Sequence, residues 1–283
     1  MPGRTAFMSP RLYRRNIGLL ALAAVLPLIL ASMVAPFGQD PAYHRFADQR
    51  VLLGIPHFGD VVSNIGLLIV GALGLAFVTG GRGRAMLTEP SARLPYQVFF
   101  TGIALIAFGS AYYHADPTNQ TLFWDRLGMT IAYLALLASF IADRVHGPAG
   151  VRVMLPLMVG LGVGALIYWR LGEAAGEGDL RFYFLSQIYP ALMIPLICLL
   201  FPGRHTSGRY VLYLFLCYAF VVASEWLDHE IYALSAGTVS GHSLKHLFAA
   251  LAAYMIHAML AAAVKQSGRR SNGDDRVVRA VSA

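Results

Sequence analysis

The chain alternates between long apolar runs and short polar connectors, and the runs are longer than a soluble core requires. Eight stretches, 17–35, 61–79, 96–113, 125–142, 153–169, 183–201, 210–227 and 242–264, are nearly free of charge. Their lengths, 17 to 23 residues, suit a helix crossing roughly 30 Å of hydrocarbon. The pattern therefore predicts an all-α polytopic membrane protein with eight spans. No internal repeat, low-complexity tract or long linker interrupts it. Residues 1–60 read as a cytoplasmic segment, a first helix and an outer loop, and 61–264 as one helical domain. The polar tail 265–283 reads as disordered.

The first run has the basic start of a secretory signal, with Arg11, Arg14 and Arg15 ahead of it. Its apolar part from Ile17 to Val34 is longer than a signal's, and Ala35-Pro36-Phe37 is a poor cleavage site. It is expected to remain as an anchor.

Composition agrees with the spans: 57% of the 283 residues are hydrophobic and 13% charged, against roughly 25% charged in soluble domains. The net charge of +7 could suggest nucleic acid, but its distribution follows topology instead. Sixteen of the 22 basic residues fall on the side that carries both termini, and six fall on the other. Basic loops stay in the cytoplasm, so both termini are expected there. Twenty of the 22 are Arg, a bias of GC-rich bacterial genomes, which points to a bacterial cytoplasmic membrane. The two cysteines, Cys198 and Cys217, both lie inside spans, so neither a disulfide framework nor a Cys-x-x-Cys metal cage is available.

Ionisable groups inside or at the rim of a membrane are costly and tend to mark function. Three clusters share one predicted depth at the outer ends of different helices. The third span closes with Ser110 and His114, four residues apart and so on one helical face. The fourth opens with Trp124-Asp125-Arg126, and the eighth with His242-Ser243-Leu244-Lys245-His246. Three neutral imidazoles and an open fourth position are what a catalytic zinc ion requires. His-x-x-x-His alone is weak and equally describes a helix rim, whereas a third His and an Asp at the same depth favour metal. His44, His57, His146, His205 and His229 fall in loops or rims, where solvated side chains are expected. His257, deep in the last span, reads as an interhelical hydrogen bond.

Gly109-Ser110-x-x-x-His114, Asp125 eleven residues later, and His242-x-x-x-His246 opening the last helix together resemble the alkaline ceramidase family. That family belongs to a superfamily of seven-helix membrane hydrolases that also includes adiponectin-receptor-like and Per1-like proteins. Ser63-Asn64 resembles the pair near the start of the family's first core helix. The resemblance covers about residues 50 to 264 and implies a seven-helix hydrolase bundle with one additional amino-terminal helix. It implies that His114, His242 and His246 bind zinc, with Asp125 and Ser110 beside the activated water. The implied reaction is cleavage of the amide of a ceramide-like lipid, drawn from the bilayer, into a fatty acid and a sphingoid base. Chemically, Asp125 suits a general base and Ser110 an oxyanion donor, although Gly109 and Ser110 equally suit close helix packing. The family's acidic calcium cluster is not matched: Gly54-Ile55-Pro56-His57-Phe58-Gly59 occupies that stretch, with only Asp48 and Asp60 nearby. This argues against a calcium site.

Glu225 and Asp228 could accept the free ring N–H of a ligand histidine, or pair simply with Lys245 or Arg126. Trp124, Tyr112, Tyr113, Trp226 and Tyr232 read as an aromatic belt. A receptor-like or scaffold protein of the same fold, a hydrolase of another acyl lipid, and a transporter are the rival functions. A transporter should carry polar residues at mid-membrane, and beyond His257 few are present. Acyl-chain preference and oligomeric state are not legible.

Overall fold

A computed structural model describes the backbone of residues 8–281, and the side chains of that range apart from residues 90–91 and 267–281. The last helix runs on from the membrane-spanning part to Val281, so the tail expected to be disordered is helical as far as that residue, its backbone continuing the hydrogen-bond ladder of the span before it. Among the described residues there is no strand, and eight helices are long and apolar enough to span a membrane. The protein is an all-α, multi-pass integral membrane protein. The helices are α1 (Pro10–Met33), α2 (Phe58–Thr79), α3 (Ala92–Ala115), α4 (Asn119–Arg144), α5 (Gly147–Ala175), α6 (Arg181–Leu200), α7 (Gly208–Trp226) and α8 (Gly241–Gln266).

Each expected span overlaps one of these helices, and most ends move outward. Polar residues carry the first helix beyond the hydrocarbon: α1 starts at Pro10, capped by Ser9, which accepts from the Leu12 amide. Residues 119–124 lengthen α4 because Thr118 and Thr121 form a reciprocal capping box. The second span begins at Phe58, so the boundary expected at 60/61 lies inside α2. This helix is broken by a turn at Ser63–Asn64.

α4 is the most buried helix and forms the axis of the bundle, against which α3, α5 and α6 pack. α8 packs between α2 and α7, and α2 leans on α3. α7 runs along α8 and scarcely touches α6, which leaves a seam there. α1 stands outside the others against α6, pinned by Asn16 Nδ2 to the Leu200 carbonyl at 2.7 Å and by Tyr189 Oη to the Ala24 carbonyl at 2.6 Å. In a membrane such polar pins count because no water competes for the carbonyls.

The α3–α4 hairpin turns through residues 116–118 only, so the end of α3 and the start of α4 lie side by side. At Gly109 the two backbones are in contact, and a Cβ there would sit 2.1 Å from the Trp124 carbonyl oxygen. The packing expectation for the Gly109-Ser110 pair thus belongs to the glycine. On the basic side, the Asp143 carboxylate accepts from the amides of Arg204, His205 and Thr206. It also accepts from the His205 ring and the Thr206 hydroxyl. His205 is therefore not simply a solvated side chain. His257 makes no hydrogen bond through its buried Nδ1 and instead packs against Phe77 of α2, ring centroids 5.1 Å apart. The interhelical bond expected for it is replaced by an aromatic contact.

Substituting Gly109 by Val should prevent this close approach, costing about 1–3 kcal/mol or more because overpacked cores must distort. Gly160→Ala is the control, since a Cβ there meets nothing within 4 Å. Thermal unfolding in detergent should fall for the first and stay within about 1 °C, or rise, for the second.

Candidate metal and hydrolytic site

His114 from the end of α3 and His242 and His246 from the first turns of α8 converge. Each offers a ring nitrogen, and these nitrogens all lie within 4.8 Å of one another. The Nε2 atoms of His114 and His242 are 3.1 Å apart. Two nitrogens on one tetrahedral ion, each at about 2.0–2.1 Å, would be separated by about 3.3 Å. Ser110 and Asp125, with the three histidines, are between 1% and 7% exposed, so bulk water does not satisfy them. Facing buried imidazole nitrogens need a shared proton or a cation between them, and the donor set fits a metal ion. The group His114, His242 and His246 is a candidate metal site.

The first turn of α8 is held by groups outside it. Ser240 caps it, its hydroxyl accepting from the Ser243 amide at 2.8 Å. Asp228 accepts from the His242 amide at 2.8 Å and from the Ala47 amide at 2.9 Å. Of the two roles open to Asp228, orienting a ligand imidazole or pairing with a rim cation, it takes neither; it orients the backbone beneath a ligand, because the orphan amides of a buried helix start are the stronger demand. Glu225 does not reach the histidines either: its carboxylate takes Lys245 Nζ at 2.5 Å, the simple pairing foreseen as the alternative. Gly241 lets α8 approach α7, where a Cβ would lie 2.2 Å from the Ser224 carbonyl oxygen.

The ring of His246 is oriented by Ser63, at the break in α2. The Ser63 hydroxyl donates to the Asp60 carbonyl at 3.2 Å and is 2.8 Å from His246 Nδ1. With its one proton so used, Ser63 accepts from Nδ1–H, and the Nε2 lone pair is left for the centre of the site. Ser110 Oγ stands 3.4 Å from that Nε2. Asp60, wholly buried, accepts from the hydroxyls of Ser240 at 2.5 Å and Ser243 at 2.9 Å, tying α2 to α8.

Ser110, Asp125, Lys245 and His246 line the polar end of a narrow cavity of about 120 Å³. From there it follows Ile106, Ile103 and Phe99 down α3, eleven residues or about 16 Å of helix, between mostly apolar side chains of α4, α6, α7 and α8, with Tyr133, Gln187 and Tyr218 among them. It lies beside the seam between α6 and α7.

The outer loop, residues 34–57, covers the aqueous side. Phe46 is wedged against both His114 and His242, each ring centroid 4.6 Å away. His44 bonds Tyr113 Oη and Asn119 Oδ1, both at 2.8 Å, so His44 is a pin and Tyr113 a buried partner instead of a belt residue. Trp124, Tyr112 and Trp226 are exposed, as a belt would be. Arg126 stacks over Trp169 and Tyr183, 4.6 Å from each ring, and donates to Gln39 of the loop at 2.5 Å. Asp48 is bound through both oxygens by Arg50, at 2.7 and 2.8 Å, and accepts from the Gly59 amide at 2.8 Å. Burial pushes the Asp48 carboxyl up, but these hydrogen bonds outweigh it and hold it below the usual carboxylate range.

Ser63, Phe46, Asp60 and Ser240 were not singled out for these roles by sequence. Only the Ser63-Asn64 resemblance pointed toward one of them. In comparisons with family models, curated proteins and solved structures, none matches the chain.

His242→Ala/His246→Ala should abolish metal binding by the purified protein, measured by elemental analysis. Ser63→Ala should weaken it by about 10–100-fold, the usual cost of freeing a ligand histidine's other nitrogen. The Asp48 bonds stabilise the fold fully above the ordinary carboxylate pKa of about 3.9, and that stability is lost as pH falls through the lower folded value. Asp48→Asn should therefore lower the melting temperature near neutral pH and flatten its decline toward pH 3; equal acid sensitivity in both proteins would refute this.

Proposed function

We propose that the protein is a zinc-dependent integral-membrane hydrolase of lipid amides of the ceramide kind, a bacterial relative of the alkaline ceramidases. One observation carries the reading: His246 of the three-histidine cluster meets Ser110 and Asp125 at the polar end of a largely apolar cavity. His114, His242 and His246 would hold the ion. When bound, zinc polarises a carbonyl and brings the pKa of a water near neutrality. The protein's own groups perform the remaining work.

The acyl chain would arrive through the seam between α6 and α7 and lie along Ile106 and Ile103, which brings its amide carbonyl to Ser110. The Ser110 hydroxyl donates a hydrogen bond to the carbonyl oxygen as negative charge develops there. Asp125 orients the attacking water, takes its proton, and passes that proton to the departing amine nitrogen as the carbon–nitrogen bond breaks. Fatty acid and sphingoid-type amine are the products. Phe46 keeps bulk water off the reacting atoms. The excess of basic residues on the opposite side supports a reading with both termini in the cytoplasm and the site toward the periplasmic face.

Asp125→Asn should lower hydrolysis of a fluorescent ceramide by about 10²–10⁴-fold, the range of general-base catalysis, with zinc content unchanged. Ser110→Ala should cost about 10²–10³-fold. Zinc retained with no turnover of ceramide, N-acyl or ester lipids by the parent protein would instead leave a receptor-like or scaffold protein.

A further inference from the structure

A larger cavity than the one at the histidine cluster lies elsewhere among the described residues. A groove of about 970 Å³ separates α1 from α5, with α4 and α6 as its floor. Its α1 wall is a single stripe, Tyr13, Ile17, Ala21, Ala24 and Leu28, at spacings of four, four, three and four residues. Tyr13 to Leu28 spans about 22 Å of helix. Opposite this stripe, Gly160 and Gly164 leave open space, with nothing within 4 Å of a would-be Cβ.

The groove is apolar along its length but not at its ends. Its basic-side mouth is formed by Tyr13 and His146. Arg14, exposed, lies three residues before Ile17 and seven before Ala21, and so continues the same stripe out of the hydrocarbon. His146 Nδ1 accepts from the Ala149 amide at 3.2 Å, which leaves Nε2–H as a free donor. No acidic side chain lines the groove. The mouth thus presents an imidazole N–H and a phenol, with the Arg14 guanidinium next to them by helical spacing, and the body presents hydrocarbon.

We propose that this groove seats one phospholipid with an anionic headgroup. Its acyl chain lies between α1 and α5, and its phosphate rests at Tyr13, Arg14 and His146. Such a ligand fills a space that would otherwise cost α1 and α5 their dispersion contacts. It would cement α1, whose own polar pins reach only α6, to the rest of the bundle. Charge complementarity selects the headgroup, since each basic residue near a membrane surface favours anionic lipid. The proposal is independent of the hydrolase reading, because the site lies at the opposite end of the molecule from the histidines.

The test is native mass spectrometry of the full chain in detergent micelles holding equal amounts of phosphatidylglycerol and phosphatidylcholine. The parent protein should retain one phosphatidylglycerol per chain, preferred by about fivefold or more. Arg14→Gln/His146→Gln should bring the preference close to one. Gly160→Leu/Gly164→Leu, whose Cβ atoms meet nothing within 4 Å and whose side chains extend into the groove, should remove the retained lipid while the melting temperature holds. Equal retention of the two lipids by the parent, or undiminished retention after the groove is filled, would overturn the proposal. So would a lipid-free dimer that the leucine variant dissociates, since the groove would then be a seam between two copies. Should the leucine variant fail to fold, the headgroup preference of the Arg14/His146 variant decides.

Discussion

A helix that begins inside a protein core leaves backbone N–H groups that water cannot reach, and in α8 they are taken by a hydroxyl and a carboxylate from the segment before it. Ser240 and Asp228 accept from Ser243 and His242, and Asp228 also holds Ala47 of the outer loop. One carboxylate therefore fixes the height of two candidate metal ligands and the position of the loop above them. Left unsatisfied, each buried amide would cost about 1–3 kcal/mol. The histidine geometry follows from this anchoring more than from contacts among the imidazoles themselves.

A second constraint works from below. Asp60 is buried in α2 and draws in the hydroxyls of Ser240 and Ser243, while Ser63 one turn on faces His246. The break at Ser63–Asn64 frees the Asp60 and Val61 carbonyls to accept from the Asn64 side chain. An interruption that would be unfavourable in lipid is tolerated here because protein surrounds it. The polar groups of α2 and α8 thus form one connected set, and the apolar cavity begins where that set ends.

The parts of the molecule that were legible in the sequence are those that follow a period. Eight apolar runs gave eight helices because membrane thickness fixes their length. Ser110 with His114, and His242 with His246, share faces by helical spacing alone. That His114 reaches the other two follows from depth, which charge-free runs also encode. The loop 34–57 follows no period, so neither Phe46 over the imidazoles nor His44 on Tyr113 could be read in advance. Asp228 was noticed as a carboxylate near the site, but its partner is an amide, and amides leave no mark in a sequence. His257 was misjudged for a related reason: its neighbour Phe77 lies 180 positions away in the chain. The groove beside α1 was equally invisible, because glycine in an apolar run looks the same whether a neighbour or a void stands next to it.

The wedge made by Phe46 has a kinetic meaning. Anything arriving at the three imidazoles from the aqueous side must first lift a loop held by Asp228, His44, Arg126 and Asp48. Exchange at that centre is then timed by local unfolding of the loop rather than by diffusion. An ion captured while the chain is still inserting, before the loop closes, would be trapped for the lifetime of the folded protein, and its identity would record the conditions of biogenesis more than those the finished protein meets.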